Sequence, residues 1–392
     1  MTVKRHIYIV AAEKSGDELG AALVRELRKQ TDDAITLSAI GGNALKAEGL
    51  ESPVDIAPLS ILGFLEAVKS YPIIMQRVAQ ATAVIMASGA DAVVLIDSWG
   101  FMMRVAKHLK KQGFKGQIIK YVAPQVWAMR EGRSKVLADG VDHLLTIHDF
   151  DAPYFIRHGL NTIYVGNPVF DQAYDTGDGA GLRAEYNISP DTPVLIMLFG
   201  SRLSEIQRLA EPFADAIARL KKALPELVIV SPVSDTISED VLAAAAQEKS
   251  LHDVILLGEN RKLDCFAVAG AAIACSGTVT TQLACAGIPT AVGYKLNTLT
   301  YLVAKRLFKP DYISIVNIAN DELLMPEFMQ DDCNGENLAD TVLPYLTNKE
   351  TRKTASQALI SATKKMRDGN AGDGGQSSAR AARAVLGILG KT

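Results

Sequence analysis

The chain is short of the residues that would make several familiar readings simple. It has four cysteines in 392 residues, Cys265, Cys275, Cys285 and Cys333. None forms a CxxC pair, which argues against a zinc site and a disulfide-stapled fold and fits a reducing cytoplasm. Each lies in or beside an apolar run, as a buried thiol does. The six histidines show no HxxxH-type spacing, and His143 and His148 would face opposite sides of a strand, so no bound metal is expected. Neither sign of charge dominates: Lys plus Arg is 41, Asp plus Glu is 44, and the net charge is −3. That gives nucleic acid no bulk attraction. No charge-free apolar run reaches the roughly 18 residues of a membrane span, and the N-terminus lacks the pattern of a signal peptide. A soluble or peripheral protein is expected. One further absence is more instructive. "HIYIVAA" runs into the turn Glu13-Lys14-Ser15-Gly16-Asp17 and then an amphipathic stretch. Dinucleotide sites carry three glycines in such a turn; this one carries one, with acids where a phosphate would sit. That argues against a dehydrogenase.

What is present is a long alternation. "HIYIVAA", "AITLSAIGG", "DAVVLIDS", "QIIKYVAP", "HLLTIH" and "TIYVGNP" read as buried strands separated by turns and helix-period text. Such alternation implies right-handed βαβ units and a doubly wound parallel sheet. After Asp171 the text turns rich in Asp, Gly and Pro and reads as an interdomain connection with a short helix in it. The pattern then restarts with "PVLIMLFGSR", "ELVIVSPV", "DVILLGE", "AAIACSG" and "PTAVGYK". The expected fold class is α/β, with two Rossmann-like domains facing a central cleft. Residues 1–171 form the first domain, completed by C-terminal helix at about 355–392, and residues 190–350 form the second.

Several turns could carry chemistry. Gly200, Ser201 and Arg202 close a strand just before a helix. The turn could bind a diphosphate through helix N–H groups and a guanidinium, or Arg202 could simply sit in a surface pair. Ser276, Gly277 and Thr278 close another strand, with Gln282 in the following helix; they could cradle phosphates and a sugar hydroxyl, or merely cap a core helix. Asp97 ends the strand "DAVVLID" and suits a general base or a helix N-cap. Trp127 and Arg130 stand in "YVAPQVWAMREGR" and fit an anionic, partly apolar ligand or a solvated basic turn. Phe64 and Leu65 head an apolar stretch that suits either a lipid surface or the core.

Taken in order, "AAEKSGDELGA", "GGNALKAEGLE", "LGFLEAV", "DAVVLID", "YVAPQVWAMREGR", "VGNP", "GSRLSEIQRL", "SGTVTTQLA" and "ELLMPEFMQ" resemble the lipid-A-disaccharide synthase family, glycosyltransferase family 19. The resemblance implies a GT-B fold and an inverting, metal-independent transfer with no cofactor. It implies a UDP-activated 2,3-diacylglucosamine donor and a 2,3-diacylglucosamine 1-phosphate acceptor. The product would be a β-1′,6 disaccharide, made at the inner face of the cytoplasmic membrane. Asp97 and Glu13 match the acidic active-site positions, with Asp97 the expected base. Arg202 and Asn317 match positions tied to the donor, and Ser15 and Gly16 match small residues of the first turn. A homodimer is compatible with the chain. Departures stand at Gly100 and Met102, where the family has Asp and Asn, at Asn167 for His, and at Gln282 for Glu. They bear on sugar and acyl specificity. Another UDP-sugar transferase or epimerase, or a silent paralogue binding UDP-sugar or lipid, is the alternative.

Overall fold

The computed structural model describes residues 4–56, 71–234, 237–297, 301, 306–308, 310–368 and 376–390. Phe64 and Leu65 lie outside the described residues. The chain divides into two compact units, Met1–Asp171 with Gly369–Thr392, and Gln172–Asp368.

The first unit is built on a six-stranded parallel sheet in the order β2-β1-β3-β4-β5-β6. Its strands are β1 (His6–Ala11), β2 (Thr36–Ile40), β3 (Ala92–Ile96), β4 (Gln117–Tyr121), β5 (His143–Thr146) and β6 (Asn161–Tyr164). All five residues of β3 are fully buried. A parallel sheet covered on both faces needs such unbroken apolar text, because neither side of the strand meets water. Each fully buried Val, Leu or Ile contributes about 1.5–3 kcal/mol. The helix Ser377–Ile388 belongs to this unit: Ala381, Ala382 and Val385 join the core formed by Ile7, Ile9, Leu23 and Leu27. Polar ties fix its register. Ser377 N–H donates to Asp171 at 2.8 Å, Arg380 Nε to Val165 O at 2.8 Å, and Gln30 Nε2 to Ala379 O at 3.0 Å.

The second unit repeats the scheme with the order β12-β11-β10-β7-β8-β9. Here β7 is Val194–Leu198, β8 Val228–Val233, β9 Ile255–Gly258, β10 Ala271–Cys275, β11 Thr290–Tyr294 and β12 Glu327–Met329. The short helix expected after Asp171 spans Gly179–Glu185, and Asp178 caps it by accepting from Gly181 N–H at 2.7 Å. The helix Lys349–Asp368 lies in this unit, so only the last helix crosses back to the first.

Each sheet reverses strand order once, between β1 and β3 in the first unit and between β7 and β10 in the second. Adjacent crossovers leave in opposite directions there, which opens a crevice at the carboxyl ends of the strands where doubly wound sheets take ligands.

Candidate functional site

The first switch point is acidic. β1 ends at Ala11 beside Ile96 of β3, which in turn pairs with Tyr121 of β4. Three turns therefore leave the sheet side by side. Glu13 is exposed as N-cap of the helix Lys14–Thr31, and Ser15 is exposed in its first turn. Ser15 Oγ donates to Asp97 Oδ2 at 3.4 Å. Gly16 is buried, and a Cβ there would lie 3.5 Å from Ile96 O. Its small size serves the approach of the helix to β3. Asp17, also buried, accepts from Gly42 N–H at 2.8 Å and Ala44 N–H at 2.7 Å. That carboxylate ties the first turn to the second βα turn and is spent there.

Asp97 and Ser98 are consecutive non-glycine residues in the left-handed region, with φ of 51° and 36°. Each such residue costs about 1–2 kcal/mol. The turn is held by Asp97 N–H donating to Tyr121 O at 3.0 Å and by Lys120 Nζ donating to Asp97 O at 2.6 Å. Lys120 also donates to Tyr121 O at 3.0 Å and is 1% exposed. A charge-assisted hydrogen bond contributes about 1.5–3 kcal/mol, enough to offset much of the strain. Burial pulls the Lys120 ammonium down to about 7, against the opposing fields of Asp97 and Glu13. Nothing in the sequence reading singled out Lys120, although one charge inside "QIIKYVAP" was a visible signal.

Arg130 is exposed with φ of 58°. Arg133 lies 5.0 Å over the Trp99 ring, and burial and Arg130 lower its pKa. Trp127 is instead buried, edge-on to Phe150 at 5.5 Å. Its indole packs the core beneath the basic turn, and the exposed cation is left to Arg130.

The second switch point carries a positive-φ glycine, an arginine and a helix N-terminus. Gly200 has φ of 111°, and a Cβ on it would lie 2.4 Å from Glu205 Oε2 and 3.2 Å from Cys275 Sγ. Only glycine fits. Ser201 N–H donates to Glu205 Oε2 at 2.9 Å, and Arg202 Nη1 donates to Glu205 Oε1 at 3.0 Å. Glu205, third residue of the helix Leu203–Ala223, thus reaches back over its own N-terminus. The Ser201 amide is taken, whereas Leu203 and Ser204 N–H have no intrahelical partner. Arg202 is 74% exposed at its side chain, so its remaining guanidinium donors face outward. Beside it, Ser276 Oγ donates to Ile313 O at 3.4 Å. Among the described residues nothing lies within 4 Å of where a Gly277 Cβ would stand, which leaves its backbone open on that side. Thr278 opens the helix Thr278–Cys285, and Gln282 is half-buried along it.

Asn317 is fully buried. Its Nδ2 donates to Met325 O at 2.7 Å and Glu327 Oε1 at 2.8 Å; its Oδ1 accepts from Leu324 and Met325 N–H, each at 3.0 Å. Both donors and both lone pairs are used. Asn317 therefore acts on the backbone of its own loop. Glu327 completes that loop by accepting from Ile313 and Ser314 N–H at 2.7 Å each.

Comparison with known proteins decides the family. The lipid-A-disaccharide synthetase profile matches residues 7–376. The lipid-A-disaccharide synthase of Paramagnetospirillum magneticum is 38% identical over 386 residues, covering 98% of this chain and 97% of that protein. The chain belongs to the lipid-A-disaccharide synthetase family. Solved structures bear on the fold alone. The UDP-GlcNAc 2-epimerase of Methanocaldococcus jannaschii, in complex with UDP-GlcNAc and UDP, aligns with a TM-score of 0.60 at 14% identity over 98% of this chain and 99% of that one. A glycosyltransferase from Rickettsia africae aligns with a TM-score of 0.58 at 12% identity over 99% and 100%. The fold is that of the two-domain GT-B proteins.

Within this family the departures have local explanations. Asn167 accepts from Val169 N–H at 3.0 Å through Oδ1 and shapes the turn after β6. Met102 is buried in the core of the first unit. At Gly100, among the described residues, Arg104 alone comes within 4 Å of where a Cβ would stand, at 3.5 Å.

Proposed function

We propose that this chain transfers 2,3-diacylglucosamine from its UDP derivative to the 6-hydroxyl of 2,3-diacylglucosamine 1-phosphate, with inversion, releasing UDP. Family membership supports the coarser reading, a UDP-sugar glycosyltransferase of lipid A synthesis. The finer one rests on a division of chemistry between the two switch points. In an inverting transfer the acceptor hydroxyl loses its proton as it attacks the anomeric carbon. Asp97, half-buried and turned out of the sheet by its left-handed backbone, suits that general base. Glu13, on the adjacent turn, suits holding the acceptor sugar, and Arg130 with Arg133 suits its 1-phosphate. As the glycosidic bond to UDP breaks, charge builds on the diphosphate. Arg202, the first amides of its helix and the open turn at Ser276, Gly277 and Thr278 suit stabilising it.

Among the described residues no helix is long and apolar enough to cross a membrane. Tyr71 is 50% exposed and Ile73 44% exposed, and both directly follow the apolar stretch containing Phe64 and Leu65. This fits a peripheral contact with the inner face of the cytoplasmic membrane, where both acylated substrates would reside.

Incubation with UDP-2,3-diacylglucosamine and 2,3-diacylglucosamine 1-phosphate, read by mass spectrometry, is expected to yield disaccharide and UDP. No disaccharide from these or from diamino-sugar analogues would overturn the reading. UDP release without an acceptor would favour another UDP-sugar reaction.

A further inference from the structure

We infer that Lys120 is a positioning residue for Asp97: its buried amine clamps the Asp97 carbonyl and thereby sets where the Asp97 carboxylate points. The inference rests on the proposed role of Asp97 as base. Lys120 is the one charged residue of β4, next to its carboxyl end, opposite Leu95 on β3 and Leu144 on β5. A lysine at such a position loses hydration and gains nothing from packing that leucine would not give. What it gains is direction. Its stem runs along the sheet to the carboxyl edge, where Nζ reaches Asp97 O at 2.6 Å and Tyr121 O at 3.0 Å. Tyr121 O is also the acceptor of Asp97 N–H, so Lys120 holds both residues joined by that bond. The clamp thus closes the turn from below, at the residue with φ of 51° and next to the one with φ of 36°. Without it, the backbone can relax toward ordinary φ and swing the carboxylate away from the acceptor side.

The arrangement is also electrostatic. The charged groups facing Lys120 are Asp97 from the β3 turn and Glu13 from the β1 turn. The Lys120 amine therefore stands behind both carboxylates.

The test compares Lys120→Met, Lys120→Gln and Lys120→Arg with wild type by steady-state kinetics and by hydrogen exchange. Lys120→Met is expected to lower kcat about 100-fold, near the low end of what loss of a general base costs. KM for the UDP-sugar should stay within about twofold. Exchange at the amides of Asp97 and Met102 should quicken. Lys120→Arg, which keeps charge and donors, should restore most of kcat with KM unchanged. If Lys120→Met does not fold by circular dichroism, Lys120→Gln, too short to span the same distance, should show the same split, a lowered kcat with KM near wild type. A folded Lys120→Met or Lys120→Gln with wild-type kcat and exchange would overturn the inference. A wild type without transfer would count against the proposed reaction instead. The exchange readout would still decide the clamp: unchanged rates at Asp97 and Met102 would refute it.

Discussion

The two switch points share one architecture and differ in nearly every side chain. Both lie at the strand-order reversal of a six-stranded parallel sheet, and both consist of two βα turns. At β1 and β3 the turns present Glu13, Ser15 and Asp97, with a buried amine beneath them. At β7 and β10 they present Arg202, helix N-termini and an unobstructed glycine. The strain is also placed differently. At the first switch point Asp97 and Ser98, both non-glycine, carry positive φ beside the Lys120 bonds; at the second, Gly200 takes the positive φ freely. On the proposed roles, a base must be aimed, so its backbone is fixed at a cost, whereas a phosphate cradle needs close approach, so it uses glycine.

Four substitutions would break or sharpen this contrast. The largest effect is expected for Asp97→Asn, which should lower kcat about 100- to 10,000-fold with little change in fold; wild-type turnover in that variant would remove Asp97 as base. Next, Arg202→Ala should weaken UDP binding about 10- to 100-fold, as loss of a charge-assisted contact does, checked by calorimetry. Gly200→Ala comes third. The forced backbone and the displaced Glu205 carboxylate should destabilise the second unit by about 1–3 kcal/mol, read by denaturant titration. A stable Gly200→Ala would mean the turn is looser than its contacts indicate. The smallest effect tests stability alone. Burial pushes the Asp151 carboxyl up to about 7 from an ordinary 3.8. Between those values the native state keeps a proton that the unfolded chain has released, so stability falls as pH rises from about 4 to about 7. Asp151→Asn should flatten that part of the thermal profile of the first unit; an unchanged slope would reject the assignment.

The strands were readable because parallel sheets demand unbroken apolar runs, and "AVVLI" or "AAIAC" has no other comfortable home. β12 was not: Glu327–Met329 is three half-buried residues at a sheet edge, too short for a periodic signal. The turns were readable as places, since a polar cluster after each strand marks a carboxyl edge. Their internal wiring was hidden. Gly16 matched a small residue of the first turn, and its packing on Ile96 was not visible; Asn317 matched a position tied to the donor, and its four hydrogen bonds within its own loop, to Leu324, Met325 and Glu327, were not visible either. Trp127 stood out as an aromatic beside cations, yet nothing local tells that Phe150 buries it. Such roles depend on partners distant in sequence. Lys120 is the opposite case: the odd charge in an apolar strand was visible, but its meaning waited on the turn of a neighbouring strand.

The division of labour between the two switch points is the central claim, and one paired measurement tests it most directly. UDP affinity should be titrated calorimetrically for Asp97→Asn and Arg202→Ala alongside wild type, with transfer measured on the same samples. The account predicts wild-type UDP affinity with transfer abolished in Asp97→Asn, and weakened UDP affinity in Arg202→Ala. Equal loss of UDP affinity in both variants, or none in Arg202→Ala, would contradict it.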